Sequence, residues 1–228
     1  MFDYSYLIYM LPALLLAGWA QAKVKSSFAK YSQVVSSRNM TGAEAARRIL
    51  NANGLYEVKI DRVGGSLTDH YNPSTNTISL SDSVYDNPSV AAIGVAAHEC
   101  GHAIQYAVGY GPMKLRAMII PITNIGSRLA IPLILLGLVL SFTTLAYIGC
   151  ICYATAALFQ LLTLPVEFNA SNRALKTLEG MGILGKGELE GSKKVLSAAA
   201  MTYVAALATA LLELLYWVSR VKSRGDRR

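Results

Sequence analysis

The sequence predicts an α+β membrane protein, mostly helical, with about four transmembrane helices and a small sheet-plus-helix part at the membrane surface. Three observations lead there. Hydrophobic residues make up 53% of the 228 residues and charged ones only 15%, a balance unlike that of an ordinary soluble domain. The apolar residues are gathered into blocks about one bilayer long instead of being spread at a helical or strand period. A stretch of mixed polarity, from about Lys23 to Arg116, holds the turn signals, the strand patterns and the densest chemical motif of the chain.

Taken in order, residues 1–22 form an N-terminal transmembrane anchor, since Tyr4 to Ala22 contains no charge. No cationic segment precedes it, so a retained anchor fits better than a cleaved signal peptide. Residues 23–116 make up the polar part. Thr41-Gly42-Ala43-Glu44 is a capping box that opens a helix through Asn51, ended by Asn53-Gly54. Tyr56 to Arg62 alternates as a strand, with Val58 and Ile60 facing one way. Ser66 to Tyr71 and Thr77 to Ser81 flank the turn-rich Asn72-Pro73-Ser74-Thr75-Asn76, the pattern of a hairpin. Such a sheet can cover an apolar face, or its edge can pair with an extended peptide. A helix then runs from Ser89 to Tyr106, with Asn87 as its expected N-cap and Pro88 in its first turn. Gly109, Gly111 and Pro112 are expected to stop it.

Residues 117–164 hold two transmembrane helices. Leu129 to Leu164 is uncharged, with a reversal near Phe142-Thr143-Thr144, and the first helix begins around Met118 and is kinked by Pro121 and Pro132. Residues 165–197 form a second polar helix and loop, with Pro165 starting that helix. Residues 198–218 are the fourth candidate span, rich in alanine and carrying Glu213. A basic tail, 219–228, follows.

The polar helix carries His98-Glu99-Cys100-Gly101-His102, an H-E-x-x-H pattern. Histidines four apart lie on one helix face and can reach one metal ion. Glu99, rotated by about 100° per residue, is placed to act as general base. A catalytic zinc takes three protein ligands and leaves one position open for water. In the extended pattern H-E-x-x-H-x-x-G-x-x-H the last two fixed positions fall on Gln105 and Val108, so the third ligand is not a nearby histidine. The best candidate is Glu167, directly after a membrane span and returned to the same side as His98 by two intervening spans. His70, the third histidine of the chain, reads as a structural or substrate-contacting residue, since it stands alone on a hairpin.

The three cysteines give no disulfide framework: Cys150 and Cys152 point to nearly opposite sides of one helix, and Cys100 packs away from the histidines. The net charge of +7 reads as membrane topology and excludes a nucleic-acid footprint, because the cations flank apolar blocks and no basic stripe is interleaved with aromatics. Lys23, Lys25, Lys30, Lys114, Arg116, Lys193 and Lys194 fall on the side of the H-E-x-x-H helix, and the tail falls on the other. The larger group favours a cytoplasmic catalytic face.

The runs Val95–Gln105 (VAAHECGHAIQ), Asp69–Pro73 (DHYNP), Thr75–Ser81 (TNTISLS) and Leu164–Phe168 (LPVEF) resemble the YugP-type membrane-bound neutral zinc metallopeptidases, over nearly the whole chain and in the order of the spans. More distantly, Glu167–Ala170 (EFNA) is similar to the second zinc motif of HtpX-like membrane proteases, whose glutamate is the third ligand. That pattern carries an Asp four residues after the glutamate, where this chain has Ser171. The group that buttresses the ligand histidine is therefore open, with Asn169 and Asn172 nearby, and Arg173 is free to orient Glu167 or to stabilise an oxyanion. The resemblance implies a zincin-like catalytic part in a bacterial cell-membrane protein. The expected function is a membrane-bound zinc metalloendopeptidase: His98, His102 and Glu167 bind Zn2+, and Glu99 serves as base to a zinc-activated water. The expected partners are the bilayer and a peptide or membrane-protein substrate. The alternatives are a non-catalytic zinc-dependent scaffold and a protease that cuts within the bilayer.

Overall fold

The computed structural model describes residues 4–225; the first three residues of the expected anchor and the last three of the basic tail lie outside the described residues. The order of elements is α1 (Tyr4–Tyr31), α2 (Gly42–Ala52), β1 (Lys59–Val63), β2 (His70–Asn72), β3 (Thr77–Ser81), α3 (Val90–Ala107), α4 (Gly111–Val139), α5 (Thr143–Gly180) and α6 (Lys186–Gly225). The mostly helical membrane-protein class with a small sheet is what the sequence predicts. Four of these helices, α1, α4, α5 and α6, are long and apolar enough to cross a membrane.

The chain forms two compact units. One gathers the chain up to Ala20, Lys114–Leu164 and the chain from Thr202; the other gathers Gln21–Met113 and Pro165–Met201. The first unit displays large apolar side chains outward, among them Ile8, Leu15, Met118, Ile125, Ile151 and Leu215. Lipid tails suit such a surface, and a helix spares them any unpaired backbone group. Within this unit α4 and α5 lie close because small residues face one another. A Cβ on Gly137 would meet Ala146 N at 2.4 Å, and one on Gly149 would meet Ile134 N at 2.7 Å. The reversal between them closes with Phe142 N–H donating to Gly137 O and Ser141 N–H to Leu138 O, with Ser141 at φ 54°, a Schellman cap. Glu213 accepts a hydrogen bond of 2.7 Å from the Tyr153 hydroxyl, so this carboxyl in α6 has a partner on α5.

The second unit is built around α3. The capping box of α2 is present on both sides, with Glu44 N–H donating to Thr41 Oγ1 and Thr41 N–H to the Glu44 carboxylate. The helix then buries Ala45, Ala46, Ile49 and Leu50; burying each of the two larger side chains is worth about 1.5–3 kcal/mol. The hairpin forms, with β2 antiparallel to β3. β1 pairs with β3 in parallel, so the sheet order is β1-β3-β2 and β3 is central. β2 is shorter than the expected strand from Ser66, because Gly65 and Leu67 both take positive φ and turn the chain just before it.

Several helix boundaries differ from the expected ones, with α1 running on to Tyr31 and α6 to Gly225. The N-cap of α3 is Ser89, whose hydroxyl accepts from Ala92 N–H; Asn87 instead accepts from Ser89 N–H, and Pro88 precedes the helix. Proline biases its predecessor toward extended backbone and delays the start. Gly109, at φ 64°, ends α3 with Tyr110 N–H donating to Gln105 O, whereas Gly111 and Pro112 open α4 well before Met118, as a proline in the first turn permits. Pro165 lies inside α5 and starts no helix of its own. An internal proline costs about 3 kcal/mol, but Val166, Ala170, Ala174 and Leu178 follow it four residues apart and are all essentially buried. Losing that seam would cost more than the kink. The expected loop within 165–197 is confined to 181–185, and 186–197 is the start of α6, with Val195 and Leu196 in the core.

Candidate metal centre

Helix α3 is buried on nearly every side, with Val90, Ala91, Ala92, Ile93, Ala96 and Ala97 essentially inaccessible. Its small residues let neighbours come close. A Cβ on Gly101 would meet Ala170 O at 2.6 Å, and one on Gly94 would meet Ser192 Oγ at 2.9 Å. The glycine inside the H-E-x-x-H pentapeptide thus sets how near α3 lies to the stretch of α5 that carries Glu167.

At this crossing His98 Nε2 lies 3.3 Å and His102 Nε2 3.5 Å from Glu167 Oε2. The candidate ligand atoms of the three residues all fall within 4.8 Å of one another. The two imidazoles stand at 83° to each other with centroids 4.7 Å apart. The donor set suits zinc: bonds of about 2.0–2.1 Å in a tetrahedron require ligand atoms about 3.4 Å apart, close to both observed separations. The side chains are nearly enclosed, at 15% exposure for His98, 12% for His102 and 4% for Glu167. Burial favours a closed donor set, since an ionised carboxylate taken from water needs a cation or strong donors in return.

The second ring nitrogens are engaged as well. His98 Nδ1 lies 3.1 Å from Ser171 Oγ, one turn beyond Glu167 on the same helix. His102 Nδ1 lies 3.0 Å from Gln105 Oε1. The Gln105 amide donates to Val166 O at 2.8 Å and to Asn169 Oδ1 at 3.0 Å, and Arg173 Nε donates to Asn169 Oδ1 at 2.7 Å. Such outer hydrogen bonds fix ring orientation and tautomer.

Glu99 follows His98 and is 7% exposed. Burial pushes its carboxyl above the usual carboxylate range, and the charges of Asp69 and Glu167 push the same way against the pull of His98 and His102. A carboxyl so placed can hold a proton closer to neutrality than a surface glutamate can. For His102, burial opposes the charged form, but its hydrogen bond to Glu167 and the charges of Glu99 and Glu167 outweigh it and raise the pKa. Asp69 accepts from Ser81 N–H at 2.7 Å and from Ser81 Oγ at 2.9 Å, tying the start of β2 to the end of β3.

His70 stands apart from this cluster. It is exposed on β2, with Nδ1 3.0 Å from Thr68 O. Cys100 points toward α2, its thiol 3.6 Å from Ala46 O. Ser171 occupies the buttressing position, which Asn169 and Asn172 do not; Asn169 reaches the site only through Gln105, and Arg173 acts on Asn169. In the sequence Gln105 stands out only as the residue at the glycine position of the extended pattern and as the end of the run Val95–Gln105. Its spacing, three residues after His102 on one helix face, was the available signal.

Fold and site together define an integral membrane protein whose H-E-x-x-H helix and a second helix offer a His-His-Glu group able to hold a metal ion. Residues 6–222 match the family described as "Putative neutral zinc metallopeptidase", and the chain belongs to that family. It is 50% identical over 206 residues to the Bacillus subtilis (strain 168) protein named "Putative membrane protease YugP", covering 90% of this chain and 92% of that one. No solved structure shows significant similarity to the chain.

Proposed function

We propose that this protein is a membrane-bound zinc metalloendopeptidase, with His98, His102 and Glu167 as metal ligands and Glu99 as general base. The observation that carries the reading is the convergence of two imidazole Nε2 atoms and a buried carboxylate oxygen beside a second, shielded carboxyl on the same helical turn. Zinc bound there would supply an acidified water and an electrophile for the scissile carbonyl. The side chains do the remainder. His98 and His102 face the ligand position with Nε2 because Ser171 and Gln105 hold Nδ1. Glu99 takes the proton of the attacking water and returns it to the departing amine.

The substrate proposed is a peptide or a segment of a membrane protein, and the setting a bacterial cell membrane. Comparing the proteomes of cells with wild-type and Glu99→Gln protein identifies the substrate as fragments that disappear; identical fragment patterns contradict the reading. The cations flanking the spans support a cytoplasmic site, which places the C-terminal tail outside. A C-terminal tag should then be digested by protease added to intact cells, and a protected tag reverses the orientation. Activity itself is tested on purified protein with a broad peptide library. Cleavage should stop on zinc chelation and return on adding zinc, and cleavage that persists in chelator overturns the proposal.

A further inference from the structure

The amide of Gln105 is completely buried, 3.0 Å from a candidate ligand histidine, and its other partners fix which way round it sits. The polarity of the hydrogen bonds around it is determined from two directions. Val166 O is a carbonyl and can only accept, so at 2.8 Å Gln105 must present its NH2 there. The Arg173 guanidinium can only donate, so Asn169 turns its oxygen toward Arg173 Nε at 2.7 Å. That same oxygen lies 3.0 Å from Gln105 Nε2 and again calls for the NH2. Both amide protons are then used, and the remaining oxygen faces His102 Nδ1 at 3.0 Å. An oxygen there requires a proton on His102 Nδ1, so that a cation replacing the proton between Nε2 and Glu167 Oε2, 3.5 Å apart, would meet the Nε2 lone pair.

We propose that Arg173, Asn169 and Gln105 form a polarity relay that fixes His102 in the Nδ1–H tautomer and ties it to the backbone beside Glu167, making Gln105 the positioning residue of the metal centre. The inference rests on the reading of this cluster as a metal site and assigns to Arg173 a part distinct from contact with Glu167 or with an oxyanion. Because Val166 immediately precedes Glu167, one amide sets both the histidine and the glutamate that converge on the ion. The partners of the two histidines, the Ser171 hydroxyl and the Gln105 amide, are neutral, so the imidazoles are oriented without the added basicity a carboxylate would give.

The test uses the full-length protein in detergent with three variants: Gln105→Leu, Asn169→Leu and Asn169→Asp. The aspartate keeps an acceptor for both Arg173 and Gln105, and the leucine removes it. Two readouts are taken: zinc affinity by competition with a chromophoric chelator, and the His102 tautomer from ring 15N shifts of metal-free protein in mildly alkaline solution. Gln105→Leu is expected to lose on the order of 10- to 100-fold in zinc affinity and to show a mixed tautomer, with thermal unfolding confirming a folded chain. Asn169→Leu should follow in the same direction, and Asn169→Asp should stay near wild type. Wild-type affinity together with a wild-type tautomer in Gln105→Leu overturns the relay, as does an Asn169→Asp variant as impaired as Asn169→Leu. A wild-type protein that binds no zinc refutes the metal reading by itself, and the tautomer measured without metal still decides the relay.

Discussion

Gly101→Ala is the substitution whose effect follows most directly from the structure. The new Cβ would lie 2.6 Å from Ala170 O and 3.1 Å from Ala170 Cα. Ordinary contact needs about 3.4 Å or more, so α3 and this part of α5 must separate by about 0.8 Å. Both contacts are backbone and cannot rotate away. Overpacking of this kind costs about 1–3 kcal/mol, while alanine in place of glycine returns about 0.5–1 kcal/mol of helix propensity, leaving a net loss of about 1 kcal/mol. The larger consequence is local. Glu167 lies one turn before Ala170, and metal bonds tolerate only about ±0.2 Å, so zinc affinity should fall by about 10-fold or more. Gly94→Ala supplies the control: it crowds Ser192 on α6 at 2.9 Å, away from the ligand atoms. The assay is thermal unfolding with and without chelator alongside zinc competition. Zinc affinity at the wild-type level in Gly101→Ala, or an equal loss in Gly94→Ala, refutes the reasoning.

Other expectations are simpler. Glu167→Ala should leave a folded protein that retains far less zinc through gel filtration; unchanged stoichiometry by elemental analysis means the carboxylate is no ligand. Cys100 should resist alkylation in the folded protein at a pH where free thiols react, because burial, helped by the Glu99 charge, pushes its thiol well above the usual range; mass spectrometry should find it modified only after denaturation. Tyr153→Phe removes the 2.7 Å hydrogen bond to Glu213 and should cost about 0.6–1.7 kcal/mol in detergent unfolding, and no measurable loss means that the pair contributes nothing to helix association.

What was legible in the sequence was local chemistry. The capping box at Thr41 and Glu44, the stop at Gly109, the hairpin turn at Asn72–Asn76 and the H-E-x-x-H pentapeptide each depend on residues a few positions apart, and each forms as read. The pairing of α3 with the Glu167 segment was also foreseeable, since the number of spans between them brings both to one side. Pro165 misled because a proline signals a helix start locally, whereas the seam from Val166 to Leu178 is a tertiary property. The parallel pairing of β1 with β3 leaves no mark in strand alternation, which reports faces and not neighbours. Ser171 could not be assigned because its partner lies 73 positions away, and the partners that orient Gln105, Val166 and Asn169, lie more than sixty positions away although His102 is only three. Nothing in the sequence singles out Gly101 within the pentapeptide, and only the position of the Ala170 carbonyl shows why a side chain does not fit there.

The central claim is that Glu99 moves the proton and the His-His-Glu group holds the metal. The most direct measurement pairs zinc content with turnover in purified Glu99→Gln. The amide keeps the size of the side chain in a position that is 7% exposed but cannot accept the proton of water. Zinc stoichiometry equal to wild type, with peptide cleavage reduced by at least the roughly 10²-fold that general base catalysis contributes, is the predicted result. Undiminished cleavage by the zinc-loaded variant contradicts the account.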